Sequence, residues 1–241
     1  MILRYVAIFM GYNSGFENTF TYQFDYNTRF INNFLSTRIR KSKFLTDSTF
    51  NMISVVPSIN RMVACKVMGE KALTANIPFV REKYEEMQKL ERYEYYLQLL
   101  EEGYGVCFKY KEIPIDDLLR LHQEFRNSGY KNEWLHKKKK FKEYGIEVIL
   151  VCSFTSFDFR LIMTVNDLES KKEIISGMVI RTKPDEIHFS SLFKDVIIEK
   201  DFLMVTQRFD EPKFKFSLSD IFNKKFEFEI LEEGLDYIPY K

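Results

Sequence analysis

A run of lysines is the sharpest local feature of this sequence. Four lysines are consecutive, and a fifth follows after one phenylalanine. Five ammonium groups within six positions create a positive potential that attracts phosphate groups or the acidic surface of a protein. The tryptophan just before the run offers a large apolar contact surface. We therefore predict that a protein partner binds at Trp134, Lys137, Lys138, Lys139, Lys140 and Lys142.

Two other interpretations of the lysine run stay open. Lysines line many exposed edge strands, where they prevent edge-to-edge aggregation. Alternatively, the run and a second basic segment, 38–43, form a nucleic-acid groove in which Trp134, Phe141 and Tyr144 stack on bases. The net charge of +1 and the lack of any RNA- or DNA-binding signature argue against nucleic acid.

Histidine and cysteine spacing predicts neither a metal site nor a bound cofactor. The three histidines form no zinc motif, and His122 lies on the apolar stripe of a predicted helix, which indicates a core position. His188 is expected on an exposed strand, although it could act as a base beside Ser190 or Ser191.

The cysteines predict a reducing compartment. Cys65, Cys107 and Cys152 stand 42 and 45 positions apart, without C-x-x-C spacing and among apolar residues. Buried thiols of this kind behave as small hydrophobic side chains. We therefore expect three reduced, buried cysteines and a cytoplasmic protein.

Carboxylates leave an enzymatic alternative open, because acids from distant segments can meet without a linear signature. Asp116 and Asp117 open a predicted helix, where acidic residues stabilise the N-terminus. Asp158 and Arg160 share the polar face of a predicted strand and could line a cleft or simply face solvent. The alternative is thus a hydrolase or nuclease that uses dispersed carboxylates such as Asp158.

Glycine patterns give no support to nucleotide chemistry. The chain has 9 glycines and contains neither GxxxxGK[ST] nor GxGxxG, the two patterns that cradle phosphates. The segment Gly11-Tyr-Asn-Ser-Gly15 superficially resembles a nucleophile elbow, but its serine is in the fourth position. We predict that this segment is the turn of a β-hairpin.

Composition describes a folded globular protein rich in aromatic residues. The 241 residues are 45% hydrophobic and 29% charged, and 24 Phe and 14 Tyr favour a thick core. The longest apolar run, 148–152, is far shorter than the 18 residues of a membrane span. The first ten residues are expected to form a strand, since their apolar stretch is too short for a signal peptide.

Hydrophobic periodicity predicts alternating strands and helices in the first half and mostly strands in the second. The predicted helices cover residues 27–37, 79–102 and 115–127. The predicted strands cover residues 2–10, 19–26, 50–56, 61–68, 71–77, 105–111, 148–154, 157–165, 173–182, 186–189, 196–198, 202–208, 213–218 and 225–231.

This order predicts an α+β fold: a largely antiparallel β-sheet packed against two or three helices, with a strand-rich C-terminal half. No Pro/Gly/Ser-rich linker divides the chain. We expect a single α+β domain over 1–241 or two subdomains, a mixed one at 1–113 and a mostly antiparallel one at 131–241.

Blockwise charge favours a binding protein over an enzyme. Segment 81–120 has 7 basic and 10 acidic residues, while segment 121–145 has 7 basic and 3 acidic residues. Such patches give electrostatic complementarity to a partner. The leading hypothesis is a non-enzymatic cytoplasmic protein of the inhibitor, immunity or antitoxin type, which sequesters a partner through the lysine run or through the acidic helix 81–102.

Overall fold

The structure is a computed structural model that describes residues 1–11, 14–59, 63–69 and 71–231. The chain divides into two compact units, Met1–Asn132 and Glu133–Lys241. The chain contains helices and three sheets whose strand pairs are mostly antiparallel, and strands dominate the second half. The predicted α+β class is therefore confirmed. Residues 61 and 62 of one predicted strand and residues 12 and 13 of the predicted turn lie outside the described residues.

The first unit alternates strands and helices. Its elements are β1 (Tyr5–Ile8), α1 (Asn18–Ser42), β2 (Met52–Ser58), β3 (Ala64–Met68), β4 (Ala72–Pro78), α2 (Arg81–Glu86), α3 (Lys89–Phe108) and α4 (Ile115–Asn127).

The sheet of this unit has the order β1-β2-β4-β3. Strands β1, β2 and β4 are parallel, and β3 runs antiparallel to β4 at one edge. Alternate residues from all four strands form one apolar face, which is buried together with the apolar stripes of α1 and α3. The buried residues of this face include Val6, Ile8, Ile53, Val55, Leu73, Ala75 and Ile77.

The predicted strand 19–26 is wrong, because this segment forms the first turns of α1. Phe20 and Phe24 are four residues apart, a spacing that puts them on one face of a strand and also about one turn apart on a helix. Buried residues then continue at helical spacing to Ile39. Phe24 contacts Phe79 and Tyr96, so tertiary packing favours the helix over the local β pattern.

The predicted strand 105–111 is also wrong, since α3 continues to Phe108. Tyr104 and Cys107 extend the buried stripe of Leu100 by one and two helical turns. The predicted helix 79–102 is interrupted at Met87 and Gln88, where Gln88 and Glu91 form a capping box that starts α3. The helix predicted at 115–127 is confirmed by α4.

The second unit is built from two sheets. Its elements are β5 (Asn132–Phe141), a 3₁₀ turn (Lys142–Tyr144), β6 (Ile146–Phe154), β7 (Phe159–Asp167), β8 (Glu173–Thr182), α5 (Glu186–Phe189), β9 (Asp195–Glu199), β10 (Phe202–Thr206), β11 (Pro212–Ser217), α6 (Leu218–Phe222) and β12 (Glu229–Ile230).

These strands form one sheet in the order β5-β6-β7-β8 and another in the order β12-β11-β10-β9. The predicted hairpin of 148–154 and 157–165 is confirmed, with Val148 opposite Val165. Its inner face carries Phe159, whose ring stacks on Phe189 at 3.7 Å and on Phe193 at 5.5 Å between centroids. Stacked rings of this kind supply much of the buried area of the unit.

The strand predicted at 186–189 is wrong, because these residues form the short helix α5. The Asp185 side chain accepts a hydrogen bond from the Ile187 backbone N–H and thereby caps the helix. Phe189 points into the core and contacts Phe154 and Phe159. Among the described residues, no helix is both long and apolar enough to cross a membrane.

Candidate functional site

Strand β5, at one edge of its sheet, carries Lys137, Lys138, Lys139 and Lys140, and Lys142 begins the 3₁₀ turn that follows. Lys137 and Lys139 both form ion pairs with Asp195, at 3.2 and 3.3 Å. Lys138 pairs with Glu147 at 3.1 Å, and the Glu147 side chain is almost fully buried. Three of the five lysines thus neutralise acidic groups of their own unit.

The same strand is tied to β9 by side-chain hydrogen bonds to backbone carbonyls. Lys139 donates from Nζ to the carbonyl oxygen of Val196 at 2.6 Å. His136 Nε2 lies 3.1 Å from the carbonyl oxygen of Lys194. These contacts join the edges of the two sheets, which gives the lysine run a structural role within the second unit.

The remaining members of the predicted partner-binding set have different surroundings. Lys140 and Lys142 are exposed and form no ion pair within the part of the chain that the structure describes. Trp134 is half-buried and contacts Phe159, with 6.2 Å between ring centroids. Lys140 and Lys142 therefore keep their charge available to a partner, whereas the other lysines are already paired.

The second basic segment lies at the C-terminal end of α1, in the first unit. Its cations stabilise that helix end, where the dipole is negative. Arg38 stacks over the ring of Phe34 at 3.4 Å, and burial lowers its pKa. Each basic segment thus has an assigned role within its own unit.

Asp158 is a structural carboxylate in this fold. Its side chain is buried, and it accepts hydrogen bonds from Arg160 at 2.9 Å, from Arg181 at 2.7 Å and from Thr155 at 2.9 Å. Burial by itself raises the pKa of this carboxyl, but the hydrogen bonds from Arg160, Arg181 and Thr155 outweigh burial and lower it. A carboxylate held in this way is poorly suited to proton transfer, so the geometry does not favour Asp158 as a catalytic base.

His122 occupies the core position that was predicted for it. Its ring is fully buried between Tyr104, whose hydroxyl is 3.2 Å from Nε2, and Glu101, whose carboxylate is 2.9 Å from Nδ1. Arg126 links Glu101 to Glu94 and completes a polar network between α3 and α4. Burial lowers the pKa of His122, against the opposing effect of Glu101.

The three cysteines are buried free thiols, as predicted. Cys65 and Cys152 lie on strands, whereas Cys107 lies on α3. His188, which was expected on a strand, lies instead in α5. Asp116 and Asp117 occupy the first turn of α4, as expected of acidic residues that stabilise a helix start.

The strongest candidate for a binding surface is one edge of the first sheet, which the sequence did not reveal. The two edges of this sheet differ in how their backbone groups are hydrogen-bonded. At the β1 edge, the backbone N–H and C=O groups are hydrogen-bonded by side chains of α1. Ser36 Oγ accepts from Val6 N and donates to Val6 O, both at 3.0 Å. Asn32 accepts from Ile8 N at 2.9 Å and donates to Ile8 O at 3.0 Å. We call this the sealed edge.

The outer edge of β3 differs from the sealed edge. Within the described ranges, neither a further strand nor a side chain hydrogen-bonds to the outer side of Ala64–Met68. Val67 and Met68 are exposed on the strand, and Val63 is exposed just before it. We call this the open edge.

Helix α3 adds aromatic surface beside the open edge. Cys107 packs against Cys65 of β3, with 3.9 Å between the sulfur atoms. Two aromatic residues that follow, Phe108 and Tyr110, are more than half exposed. Lys66 on β3 and Lys109 directly after α3 are also exposed. The open edge is thus the outer side of β3, with exposed apolar and cationic residues on and near the strand.

A second surface in the first unit is acidic. Helices α2 and α3 form a groove of about 470 Å³ whose lining includes Glu86, Glu91 and Glu94 around Met87 and Tyr95. Glu94 already accepts hydrogen bonds from Arg126, and these hold its pKa below the usual range. This groove corresponds to the acidic helix that the sequence proposed as an alternative face for a basic partner.

No cluster of His, Cys, Asp and Glu side chains that could hold a metal ion occurs among residues 1–11, 14–59, 63–69 and 71–231. Comparison with protein-family models, with curated proteins and with solved structures gave no match. Any functional assignment therefore depends on the surfaces described above.

Proposed function

We propose that this protein acts without catalysis, by binding a partner protein and covering part of its surface. The open edge of β3 is the docking strand, and an extended segment of the partner adds to the sheet beside it. Main-chain hydrogen bonds supply affinity in this mode of recognition, and side-chain pockets supply specificity.

The contrast between the two sheet edges carries this proposal. Natural proteins protect exposed strand edges, because an unprotected edge pairs with other chains. In this unit, the β1 edge is closed by Ser36, Asn32 and neighbouring side chains of α1. The β3 edge keeps exposed Val67 and Met68 instead. An edge left open beside one that is closed indicates a place for a partner.

The chemistry around the open edge defines the partner segment. Val67, Phe108 and Tyr110 offer apolar contacts, so the segment carries apolar residues at alternate positions. Lys66 on β3 and Lys109 directly after α3 are exposed, so the segment also carries acidic residues. The partner is therefore a protein with an acidic, amphipathic extended segment.

Two lysines of the lysine run supply long-range electrostatic attraction in this proposal. Lys140 and Lys142 attract an acidic partner over longer distances, because no acid among the residues that the structure describes forms an ion pair with them. Rapid association by charge and slow dissociation by apolar contacts are typical of inhibitors, immunity proteins and antitoxins. The three reduced cysteines are consistent with the cytoplasmic location proposed for such a protein.

The test is affinity capture of the tagged full chain from its native lysate, followed by amide hydrogen exchange on the recovered complex. The expected result is one stoichiometric protein partner that survives nuclease treatment and moderate salt. In the complex, amides of Ala64–Met68 exchange more slowly than in the free protein. Val67→Lys, which places a charge on the open edge, should abolish capture.

A matched control places the same charge on another edge strand. Met178 lies on β8 and has an exposed fraction of 41%, close to the 38% of Val67. Met178→Lys should therefore leave capture unchanged. If Val67→Lys still captured the partner, β3 would not be the docking strand. If only Lys140→Glu/Lys142→Glu lost the partner, the binding site would lie at the lysine run. Recovery of nucleic acid, or of no partner, would contradict the proposed function.

A further inference from the structure

Two thiols of the first unit lie close enough to react with each other. The Sγ atoms of Cys65 and Cys107 are 3.9 Å apart, and the two residues are separated by 42 positions in the sequence. Cys65 comes from β3 and Cys107 from the last turn of α3. Both thiols are buried and free.

Close packing of α3 on the sheet brings these thiols together. Val55, Ala75 and Cys65 are aligned across β2, β4 and β3. Gly103 lies over Val55, where a Cβ atom would come within 2.3 Å of its side chain. Cys107 follows Gly103 by one helical turn on the same buried face. A glycine at this crossing therefore lets α3 approach the strand that carries Cys65.

We propose that Cys65 and Cys107 are a modification site at which hydrogen peroxide introduces an intramolecular disulfide bond. The sulfur atoms must approach by roughly 2 Å to reach bonding distance. Cys65 lies on an edge strand, where local opening costs little, and it is the more accessible of the two, with an exposed fraction of 8%. Cys107 is completely buried and serves as the resolving thiol.

The chemistry is balanced by one molecule of peroxide. The Cys65 thiolate attacks one peroxide oxygen, the O–O bond breaks, and hydroxide leaves to become water, which yields a sulfenic acid. The Cys107 sulfur then attacks the Cys65 sulfur and displaces the hydroxyl group as a second water. Two thiols lose two hydrogen atoms, one disulfide forms, and the peroxide is reduced to two waters.

The surroundings set the rate of this reaction. Burial raises the pKa of Cys65, and burial together with Cys65 raises the pKa of Cys107. The thiolate is the reactive form, so oxidation should accelerate as the pH rises from 7 to 9. The disulfide bond links the edge strand β3 covalently to helix α3. This inference does not rest on the proposed function, because the mass of the protein reports the disulfide bond whether or not a partner binds.

The test treats the folded full chain with hydrogen peroxide under anaerobic conditions and follows it by intact mass and peptide mapping. The expected product is lighter by two hydrogen atoms, contains a peptide pair linked through Cys65 and Cys107, and retains one free thiol of the original three. A reducing agent should restore the starting mass. The disulfide should also raise the urea midpoint of unfolding.

Serine variants distinguish this site from nonspecific oxidation. Cys152→Ser should form the same link, because Cys152 lies in the other unit. Cys107→Ser should gain oxygen at Cys65 instead of losing two hydrogens. Oxygen addition without a link in the wild-type chain, a link that involves Cys152, or a link that forms only after denaturation would each overturn the proposal.

Discussion

The side-chain amide of Asn32 binds the backbone of Ile8 as a neighbouring strand would. Asn32 Oδ1 accepts from Ile8 N at 2.9 Å, and Asn32 Nδ2 donates to Ile8 O at 3.0 Å. One helical turn later, Ser36 repeats the arrangement on Val6, two residues earlier in β1. Four residues of helix and two residues of strand both advance by about 6 Å, which lets the two elements match.

Replacement of Asn32 should therefore destabilise the first unit. Asn32→Leu keeps a similar volume but leaves Ile8 N without the Asn32 acceptor, while Ile8 O keeps its hydrogen bond from Thr28. The expected cost is about 1–3 kcal/mol. Urea unfolding measures the loss. Asn27→Leu on the same helix is the control, since the Asn27 side chain accepts an exposed hydrogen bond from Gln23 and forms no hydrogen bond to the backbone of β1 within the described residues. Equal stability of the two variants would show that the sealed edge contributes nothing.

The carboxyl group of Asp25 should make the protein less stable at neutral pH than at pH 4. Burial raises its pKa to about 6, against the lowering effects of the Met10 N–H and of Arg29. In the unfolded chain this carboxyl ionises near 3.8, so the folded state binds more protons between pH 4 and 6. Stability from this group is present below that window and is lost as the pH rises through it.

Asp25→Asn removes this effect and retains the hydrogen bond from Met10 N. The variant should gain on the order of 2 kcal/mol relative to wild type between pH 4 and pH 7. Urea unfolding at both pH values provides the measurement, and Asp201→Asn, at an exposed position, provides the control. A difference between variant and wild type that is the same at both pH values would contradict the prediction.

Two glycines of α3 should respond to alanine with opposite signs. A Cβ atom at Gly103 would lie 2.3 Å from Val55 Cγ2, whereas a Cβ atom at Gly105 would meet nothing within 4 Å. Gly105→Ala should stabilise the helix by up to about 1 kcal/mol. Gly103→Ala should destabilise the unit by about 1–3 kcal/mol. The new methyl group overpacks against Val55, and the cost of overpacking exceeds the gain in helix propensity.

A double-mutant cycle locates the cause of the Gly103 effect. Val55→Ala removes the two methyl groups that a Cβ atom at Gly103 would meet. The pair Gly103→Ala/Val55→Ala should therefore be more stable than the sum of the single changes predicts, by about 1 kcal/mol or more. Strict additivity in thermal unfolding would disprove the close contact between α3 and β2.

Asp158 should behave as a stabilising residue. Asp158→Ala removes the acceptor of Arg160 and Arg181 and should cost about 2–4 kcal/mol, as expected when a buried ion pair loses one partner. Asp210→Ala breaks an exposed pair with Lys194 and should cost less than about 1 kcal/mol. Thermal unfolding compares the two, and an unchanged midpoint for Asp158→Ala would contradict this role.

The pH dependence gives a second measure of Asp158. Its pKa is lowered in the folded state from 3.8, so its stabilisation is complete above that pH and is lost as the pH falls below it. Asp158→Asn should lose less stability than wild type on acidification from pH 5 to pH 3. An identical decline in both proteins would assign the acid sensitivity to other groups.

Local pattern predicted the second half of this protein better than the first. Strands such as β6 and β7 alternate apolar and polar residues because one face is buried, and this period is visible without neighbours. Segment 19–26 alternates in the same way, yet it is helical, because Phe24 packs among Phe79, Tyr84 and Tyr96 from distant segments. The segment fits both the period of a strand and the period of a helix, and those contacts favour the helix.

The candidate binding surfaces show the same division. Residue type and spacing alone indicated the buried role of His122, the free thiols and the charge of the lysine run. Spacing could not show that Asp195 and Glu147 neutralise three of those lysines, because these acids lie on other strands. Nor could it show that β1 is sealed and β3 open, since strand order depends on which backbone edges meet. Composition and period thus determine the class of the fold, while pairing across long sequence separations determines which surfaces remain free to bind.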